Sequence, residues 1–302
     1  MDIKTIYNDI LSCRKKKIII DSDAYNEIDD QYAVAYALRC NEKVEVLSIN
    51  AAPFFNCRCA SAKDGMERSF LELNKIISMV DNTLKIPVYK GSTSFMQDKK
   101  APINSDAAQN IINTAKAIKD EPLYVVAIGA ITNVASALLL EPEIASKIVV
   151  IWLGGNRYDW KNNEEFNLKQ DVLSAQVVFE SGVTLVQIPC MGVASAFLTT
   201  LPELRACLGG KNELCNYLLS ETEEYSKIDG GEDWFGWSKI IWDVLAIALL
   251  TKNDAMDMKI IKRPCLTDDK KWIEQTEGKE MLLVTYVYRD PIYIDCFKRL
   301  LK

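Results

Sequence analysis

Residues 16–37 read KKIIIDSDAYNEIDDQYAVAYA, and this stretch decides the fold. Ile18, Ile19 and Ile20 form a continuous apolar run, as a strand buried on both faces requires. Four aspartates follow within ten residues, Asp21, Asp23, Asp29 and Asp30, together with Glu27. An amphipathic helix is predicted over 29–39. Working outward, the same alternation recurs. Strands are predicted over 44–49, 87–89, 123–128, 148–153 and 185–188. Helices are predicted over 60–80, 106–118, 133–140 and 171–180. Apolar strands alternating with helices imply an α/β fold, a mainly parallel sheet with helices on both faces and an open Rossmann-like core. In such sheets ligands bind at the carboxyl ends of the strands. Beyond Pro202 the pattern reads as helical to about Leu250, then as a possible strand pair (258–261 and 281–288) and a terminal helix. No Pro/Gly/Ser linker, low-complexity tract or fixed-period repeat divides the chain, so residues 1–302 are expected to form one domain.

Composition narrows the chemistry. Of 302 residues, 49% are apolar and 26% charged, which excludes collagenous and broadly disordered chains. With 36 basic and 42 acidic side chains the net charge is −6, and the only basic block is 14–17. That is a poor match to nucleic acid, which needs a basic stripe. There is no histidine. Ser-His-Asp triads, Cys-His pairs, His-ligated zinc and imidazole acid–base catalysis are therefore excluded. Nine cysteines, scattered through apolar segments without a C-x-x-C pair, read as reduced core thiols. No apolar run reaches the roughly 18 residues of a membrane span, and no signal region is apparent. A cytoplasmic protein without a membrane partner is expected.

The crowded aspartates have two readings. Asp29 and Asp30 can cap and charge a helix start. That leaves Asp21 and Asp23 unexplained at the same sheet edge, where like charges repel unless a cation compensates. Oxygen-only donors favour Ca²⁺ or Mg²⁺. Three later segments add candidates. G-A-I-T-N-V-A (129–135) follows a strand, with Gly129 for a tight exit and Thr132 or Asn133 as a helix cap. L-G-G (153–155) leads into a polar loop ending in Glu165-Phe166-Asn167. G-G-E-D-W-F-G-W-S-K-I-I-W-D (230–243) carries Trp234, Phe235 and Trp237 in a Gly-flanked loop. These aromatics suit either a stacking surface or a loop tucked on the core. The segment ends with Asp243 beside Trp242 in an apolar helical pattern, where a carboxylate is costly unless paired.

Taken in register, D-S-D-(x)5-D-D at 21–30, G-A-I-T-N-V-A at 129–135, L-G-G…E-F-N at 153–167 and W-D-V-L-A-I-A at 242–248 resemble the inosine-uridine-preferring nucleoside hydrolase family. The resemblance runs from Lys17 to about Leu250. It implies hydrolysis of a ribonucleoside N-glycosidic bond by a Ca²⁺-bound water. It also implies Asp23, Asp30, Asp243 and the Thr132 carbonyl as metal ligands, with Asp23 as base. Asp29, Asn56, Glu165 and Asn167 would hold the ribose, and Asp21 would support the loop. Many members have a histidine where this chain has Trp242. Purine-preferring members place a tryptophan there, so Trp242 is expected to stack on a purine leaving group. Tyr225, Trp234 and Trp237 are further base-pocket candidates.

Between Asp23 and Asp29 the chain has A-Y-N-E-I, two residues longer than the usual motif and without its Pro-Gly, which brings Asn26 or Glu27 into consideration. Asn104 aligns loosely with a substrate-facing histidine of relatives. The resemblance implies a separate ribose-binding position, an Asn in the family, at Asp159, Asn162 or Asn163. The resemblance also implies a homodimer or homotetramer. Two alternatives remain: a catalytically weak ribose-binding relative, and a Mg²⁺-dependent haloacid-dehalogenase-like phosphatase, which shares D-x-D but leaves Asp243 and E-F-N unexplained.

Overall fold

The computed structural model describes residues 1–230 and 236–302. In chain order the first half comprises α1 (Ile3–Leu11), β1 (Lys16–Ser22), α2 (Asp29–Arg39), β2 (Val44–Ala51), α3 (Ala62–Val80), β3 (Val88–Lys90), α4 (Asp106–Ala117), β4 (Leu123–Ala127), α5 (Thr132–Leu140) and β5 (Ile148–Leu153). There follow α6 (Phe166–Gln170), α7 (Val172–Glu180), β6 (Thr184–Ile188), β7 (Leu198–Thr200), α8 (Leu201–Leu208) and α9 (Glu213–Asp229). The chain ends with β8 (Ser238–Ile240), α10 (Val244–Thr251), β9 (Met256–Lys262), β10 (Cys265–Leu266), β11 (Trp272–Ile273), β12 (Glu280–Val287) and α11 (Arg289–Leu300).

Eight strands form the main sheet in the order β3-β2-β1-β4-β5-β6-β12-β9. Every pairing in it is parallel except β12 with β9. The inner strands β4, β5 and β6 are buried at every position. Their side chains alternate between two cores. Ile18, Ile20, Tyr124, Val126, Val149 and Ile151 pack with α2, α3, α9, α10 and α11. Ile19, Leu123, Val125, Ile148, Val150 and Trp152 pack with α4, α5 and α7 on the opposite face. The α/β architecture with helices on both faces is as the sequence predicts.

The order also places the site. From β1 the chain winds outward through β2 and β3, then crosses back to lay β4 against the other side of β1. The carboxyl ends of β1 and β4 therefore flank a crevice where the winding reverses.

Four expectations change. The stretch from 202 to 250 is not continuously helical: β8 interrupts it and pairs antiparallel with β7. Asp243 consequently stands at the N-cap of α10 rather than inside a helix. The N-cap of α2 is Ile28, so Asp29 and Asp30 occupy its first turn and neither caps it. Ile131 likewise takes the cap position of α5, because the side chains of Thr132 and Asn133 are engaged elsewhere. The α1 helix adds an element that the strand–helix alternation does not predict.

Candidate active site

The site begins with two buried helices whose first turns meet. In α2 every residue from Asp29 to Leu38 is buried, and α10 is apolar and buried throughout. The two pack together. Their N-termini carry Asp29, Asp30 and Asp243, whose carboxylate oxygens lie within 4.8 Å of one another. Helix N-termini favour negative charge, but each helix supplies only about half a unit of compensating charge. Asp23 enters from β1. Burial raises its pKa well above the usual carboxylate range, and the charges of Asp30 and Asp29 add to the rise. Asp30 is pushed up to about 8 by burial and by Asp29, and Asp29 to about 6 by burial. Asp243 is raised by burial and then by Asp29, Asp30 and Asp23. Four carboxyl groups thus share one dry space.

Their hydrogen bonding is incomplete. Ser22 Oγ donates to Asp30 Oδ1 at 2.5 Å and Asn26 Nδ2 to Asp23 Oδ2 at 2.8 Å. Asp23 Oδ1 and Asp30 Oδ2 are buried without a partner among the described residues. A buried acceptor left bare is costly, and a buried charge more so. Hard oxygen donors, mutual repulsion and bare lone pairs together fit a divalent cation such as Ca²⁺ or Mg²⁺. The carboxylates that converge closely enough to hold it are Asp29, Asp30 and Asp243; Asp23, expected as a ligand, lies near them but outside that group, and Asp29, expected on the ribose, lies inside it.

Gly129, just past β4, lets this cluster close. A Cβ there would lie 2.9 Å from Asp23 Cγ and Oδ1, so any side chain would displace the carboxylate. Asp21 sits one layer behind. Asn133 Nδ2 donates to its Oδ1 at 2.9 Å, while Asn133 Oδ1 accepts from Ser92 N and Oγ. Burial pushes Asp21 up to about 7. Thr132 opens α5, and its hydroxyl donates to Asp171 at 2.7 Å.

A cleft of about 240 Å³ opens beside Asp29 and Asp243. It is lined by Asp29, Asp243, Ile128 and Leu153, and by the aromatic residues Trp242, Trp160 and Phe166. Asn26, Glu27, Glu165 and Asn167 also line it. Glu165 caps α6, accepting from the backbone N–H of Gly155, Asn167 and Leu168, each at 2.8 Å. Burial raises its pKa against the pull of those three donors. Asn167 Nδ2 ties the ends of β4 and β5 by donating to Ile128 O and Leu153 O. Burial pushes the lining thiol of Cys190 up, which disfavours the thiolate.

The longer loop after Asp23 carries Tyr25 at φ 120°, a conformation that L side chains rarely adopt. Arg58 stacks 4.2 Å from the Tyr25 ring centre and donates to Glu27 O. Asn56 braces the same loop: its Nδ2 donates to Asn26 O, and its Oδ1 accepts from Arg58 N. Both ends of that amide are spent on the loop.

The remaining candidates scatter. Asn162 lines the cleft, whereas Asn163 is turned to Lys270 O and Asp159 pairs with Arg157 at the surface. Tyr225, on α9, holds Lys239 Nζ 5.1 Å from its ring centre. Trp237 is pinned to Asp229 through its indole N–H and does not line the cleft. Asn104 is exposed, accepts from Gln109 and is not brought to the cleft, because it lies just ahead of α4 where its side chain meets that helix. Trp234 and Phe235 lie outside the described residues.

Sequence reasoning missed Lys239. It is 6% exposed and ion-paired with Glu27. Burial pulls its pKa down, but the charges of Asp29 and Glu27 outweigh that and leave it above the usual lysine value. The available signal was a lone lysine in W-S-K-I-I-W-D, three residues ahead of Trp242. Trp160 and Phe166 were also missed, since aromatic residues on a polar loop carry no period.

The sequence model of the inosine-uridine preferring nucleoside hydrolase family matches residues 18–281. The chain belongs to that family. Among curated nucleoside hydrolases and nucleosidases, a probable uridine nucleosidase 2 of Arabidopsis thaliana is 26% identical over 235 residues, 70% of each chain. The pyrimidine-specific ribonucleoside hydrolase RihA of Escherichia coli K12 is 28% identical over 197 residues, 62% of this chain and 59% of that one. A purine-preferring ribonucleoside hydrolase from Gardnerella vaginalis shares the fold with a TM-score of 0.75 at 20% identity, covering 95% of this chain and 98% of that one. An inosine-uridine preferring nucleoside hydrolase from Bacillus anthracis does so with a TM-score of 0.72 at 18% identity, covering 96% and 99%. Nucleoside hydrolase membership leaves the phosphatase alternative without support. No helix among the described residues is long and apolar enough to cross a membrane.

Proposed function

We propose that this nucleoside hydrolase cleaves the N-glycosidic bond of ribonucleosides, purine nucleosides by preference, with Ca²⁺ as cofactor. The observation that carries the reading is the convergence of Asp29, Asp30 and Asp243, with Asp23 close by, bare buried oxygens on Asp23 and Asp30, and a cleft lined by Asp29 and Asp243. A bound Ca²⁺ would anchor the ribose diol and acidify the attacking water. Asp23 would serve as the base that accepts a proton from the attacking water. Asn26 holds Asp23 through Oδ2, and Oδ1 has no partner among the described residues. The aspartates favour the oxocarbenium-like ribose that forms as the bond breaks. Asp29, Glu165 and Asn167, which line the cleft, are assigned to the sugar hydroxyls. The Thr132 carbonyl is the expected fourth ligand, and Trp242 stacks on the base.

The homologues pull both ways on the base, since pyrimidine-specific and purine-preferring proteins are both similar to this chain. Trp242 on the cleft wall is what favours purines. We further propose one domain over 1–302, acting in the cytoplasm as a homodimer or homotetramer. Reducing-sugar release from inosine, adenosine, guanosine, uridine and cytidine, with and without chelator, tests the reading. Release that stops on chelation and returns with Ca²⁺ is expected. Nucleoside binding without release would instead identify a binding relative.

A further inference from the structure

The basic block at 14–17, in a chain of net charge −6, takes no part in the catalytic cleft. Lys17 pairs with Glu121. Arg14 and Lys16 instead line a separate pocket of about 370 Å³. Lys43, Lys252 and Arg299 bring its cations to five, against Asp254 and Asp295. The pocket lies far from the catalytic aspartates. Lys16 opens β1 and Thr251 closes α10, whereas Asp23 and Asp243 stand beyond the opposite ends of those elements.

Three of the five cations are answered. Lys252 pairs with Asp254, Arg299 with Asp295 and Glu42, and Arg14 with Asp9 and Glu121. Lys16 and Lys43 have no ion pair among the described residues. The two are neighbours, since Lys16 N donates to Lys43 O at 3.0 Å. Lys16 is 1% exposed, yet its Nζ meets only neutral acceptors, Ser12 O at 2.5 Å and Ser12 Oγ at 3.5 Å. An ammonium has three N–H donors, so one is left without an acceptor among the described residues. Ser12 ends α1, and a helix terminus supplies only about half a unit of negative charge. Asp9, whose charge also reaches Lys16, is held by Arg14 and by the Tyr124 hydroxyl. Burial keeps Lys16 below the usual lysine pKa, and the charges of Arg14 and Lys43 push the same way. A buried ammonium without an anion is costly.

We propose that this pocket is a second ligand site, which binds a small phosphate-bearing anion through Lys16 and Lys43. Two unanswered ammonium groups on neighbouring residues match a dianion. A phosphate monoester carries close to two negative charges at neutral pH and offers three acceptor oxygens, whereas a single carboxylate carries one charge. Its oxygens take the free N–H of Lys16 and the ammonium of Lys43, which supplies the anion that burial of Lys16 calls for. The pocket volume leaves room for a small group such as a pentose behind the phosphate. The recognised chemistry is the phosphate group, whether as the free ion or on a sugar.

Calorimetry on the intact protein tests this, with inorganic phosphate, ribose 5-phosphate and ribose as titrants and no added Ca²⁺ that would precipitate phosphate. Saturable binding of phosphate or ribose 5-phosphate is expected. Lys43→Ala should weaken it roughly tenfold, the scale of one charge-assisted hydrogen bond, and Lys16→Met at least as much. Asp30→Ala should leave it unchanged, because that residue belongs to the catalytic cluster. Tighter binding of ribose 5-phosphate than of phosphate assigns the site to a sugar phosphate, and the reverse or equal affinity to the free ion. Lys43 is only half-buried, so its variant decides the matter alone if Lys16→Met fails to fold. Absence of saturable binding by both phosphates would overturn the inference. So would affinities that Lys43→Ala leaves unchanged, or ribose 5-phosphate binding that ribose matches and Asp30→Ala abolishes, which would place the ligand in the catalytic cleft.

Discussion

Two groups of buried carboxylates stand close together in this fold and are treated in opposite ways. Asp171, ahead of α7, is 3% exposed and fully satisfied. Its oxygens accept from Met96 N, Thr132 Oγ1, Ser174 N and Ser174 Oγ at 2.6–3.0 Å. Asp23 and Asp30 are just as buried, yet each keeps a bare oxygen and each faces other carboxylates. A protein that can surround one carboxylate with four donors does not leave others bare for want of donors. The difference marks Asp171 as a joint between segments and the four-aspartate cluster as a seat for a cation.

The sharpest way to break this contrast is to remove one carboxylate from the cluster. Asp30→Ala is expected to abolish Ca²⁺ binding by calorimetry and to lower turnover by a factor on the order of 10⁴. The fold should tolerate it, since a source of repulsion is lost. Near-normal Ca²⁺ affinity in this variant would end the distinction between the two groups. Within the cluster, Asp23→Asn keeps the shape and removes the base. Its kcat is expected to fall about 10³-fold with KM changed only a few-fold, as for loss of a general base. An unchanged kcat would take Asp23 out of the chemistry. Asp171→Ala addresses the other side. It strands four donors, so unfolding in denaturant should show a loss of about 3 kcal/mol. Ca²⁺ affinity should move by less than about tenfold, the residual effect passing through the Thr132 hydroxyl.

How far the sequence disclosed these two groups follows from what each depends on. The sheet was legible because Ile18–Ile20 and residues 123–127 and 148–153 are apolar on both faces, a pattern that only a covered parallel strand needs. Asp21, Asp23, Asp29 and Asp30 were legible as a group because they crowd ten residues of chain. Asp243 was legible as an anomaly in an apolar run, but its place at a helix start was not. The short β7–β8 pairing that ends the preceding loop depends on residues about forty positions apart. Lys239 and Asp171 were opaque for a common reason. An isolated charged residue is most often solvent-exposed, and only tertiary partners, Glu27 in one case and four donors in the other, make burial tolerable.

The smallest expected effect concerns Trp242, where the cation seat meets the cleft. Trp242 follows β8 after Ile241 and precedes Asp243, so the backbone that brings a carboxylate to the cluster also brings an indole to the cleft. If the indole acts on the leaving base, its removal should matter only when that base is poor at leaving. Trp242→Ala is therefore expected to reduce kcat/KM for inosine roughly tenfold, the scale of an aromatic stacking contact. The loss for p-nitrophenyl riboside, whose leaving group needs no assistance, should stay within about threefold. Ca²⁺ affinity measured in parallel separates this effect from a displaced Asp243, which would lower both activities and metal binding together. Equal losses on both substrates with Ca²⁺ binding intact would mean that Trp242 shapes the cleft without acting on the base.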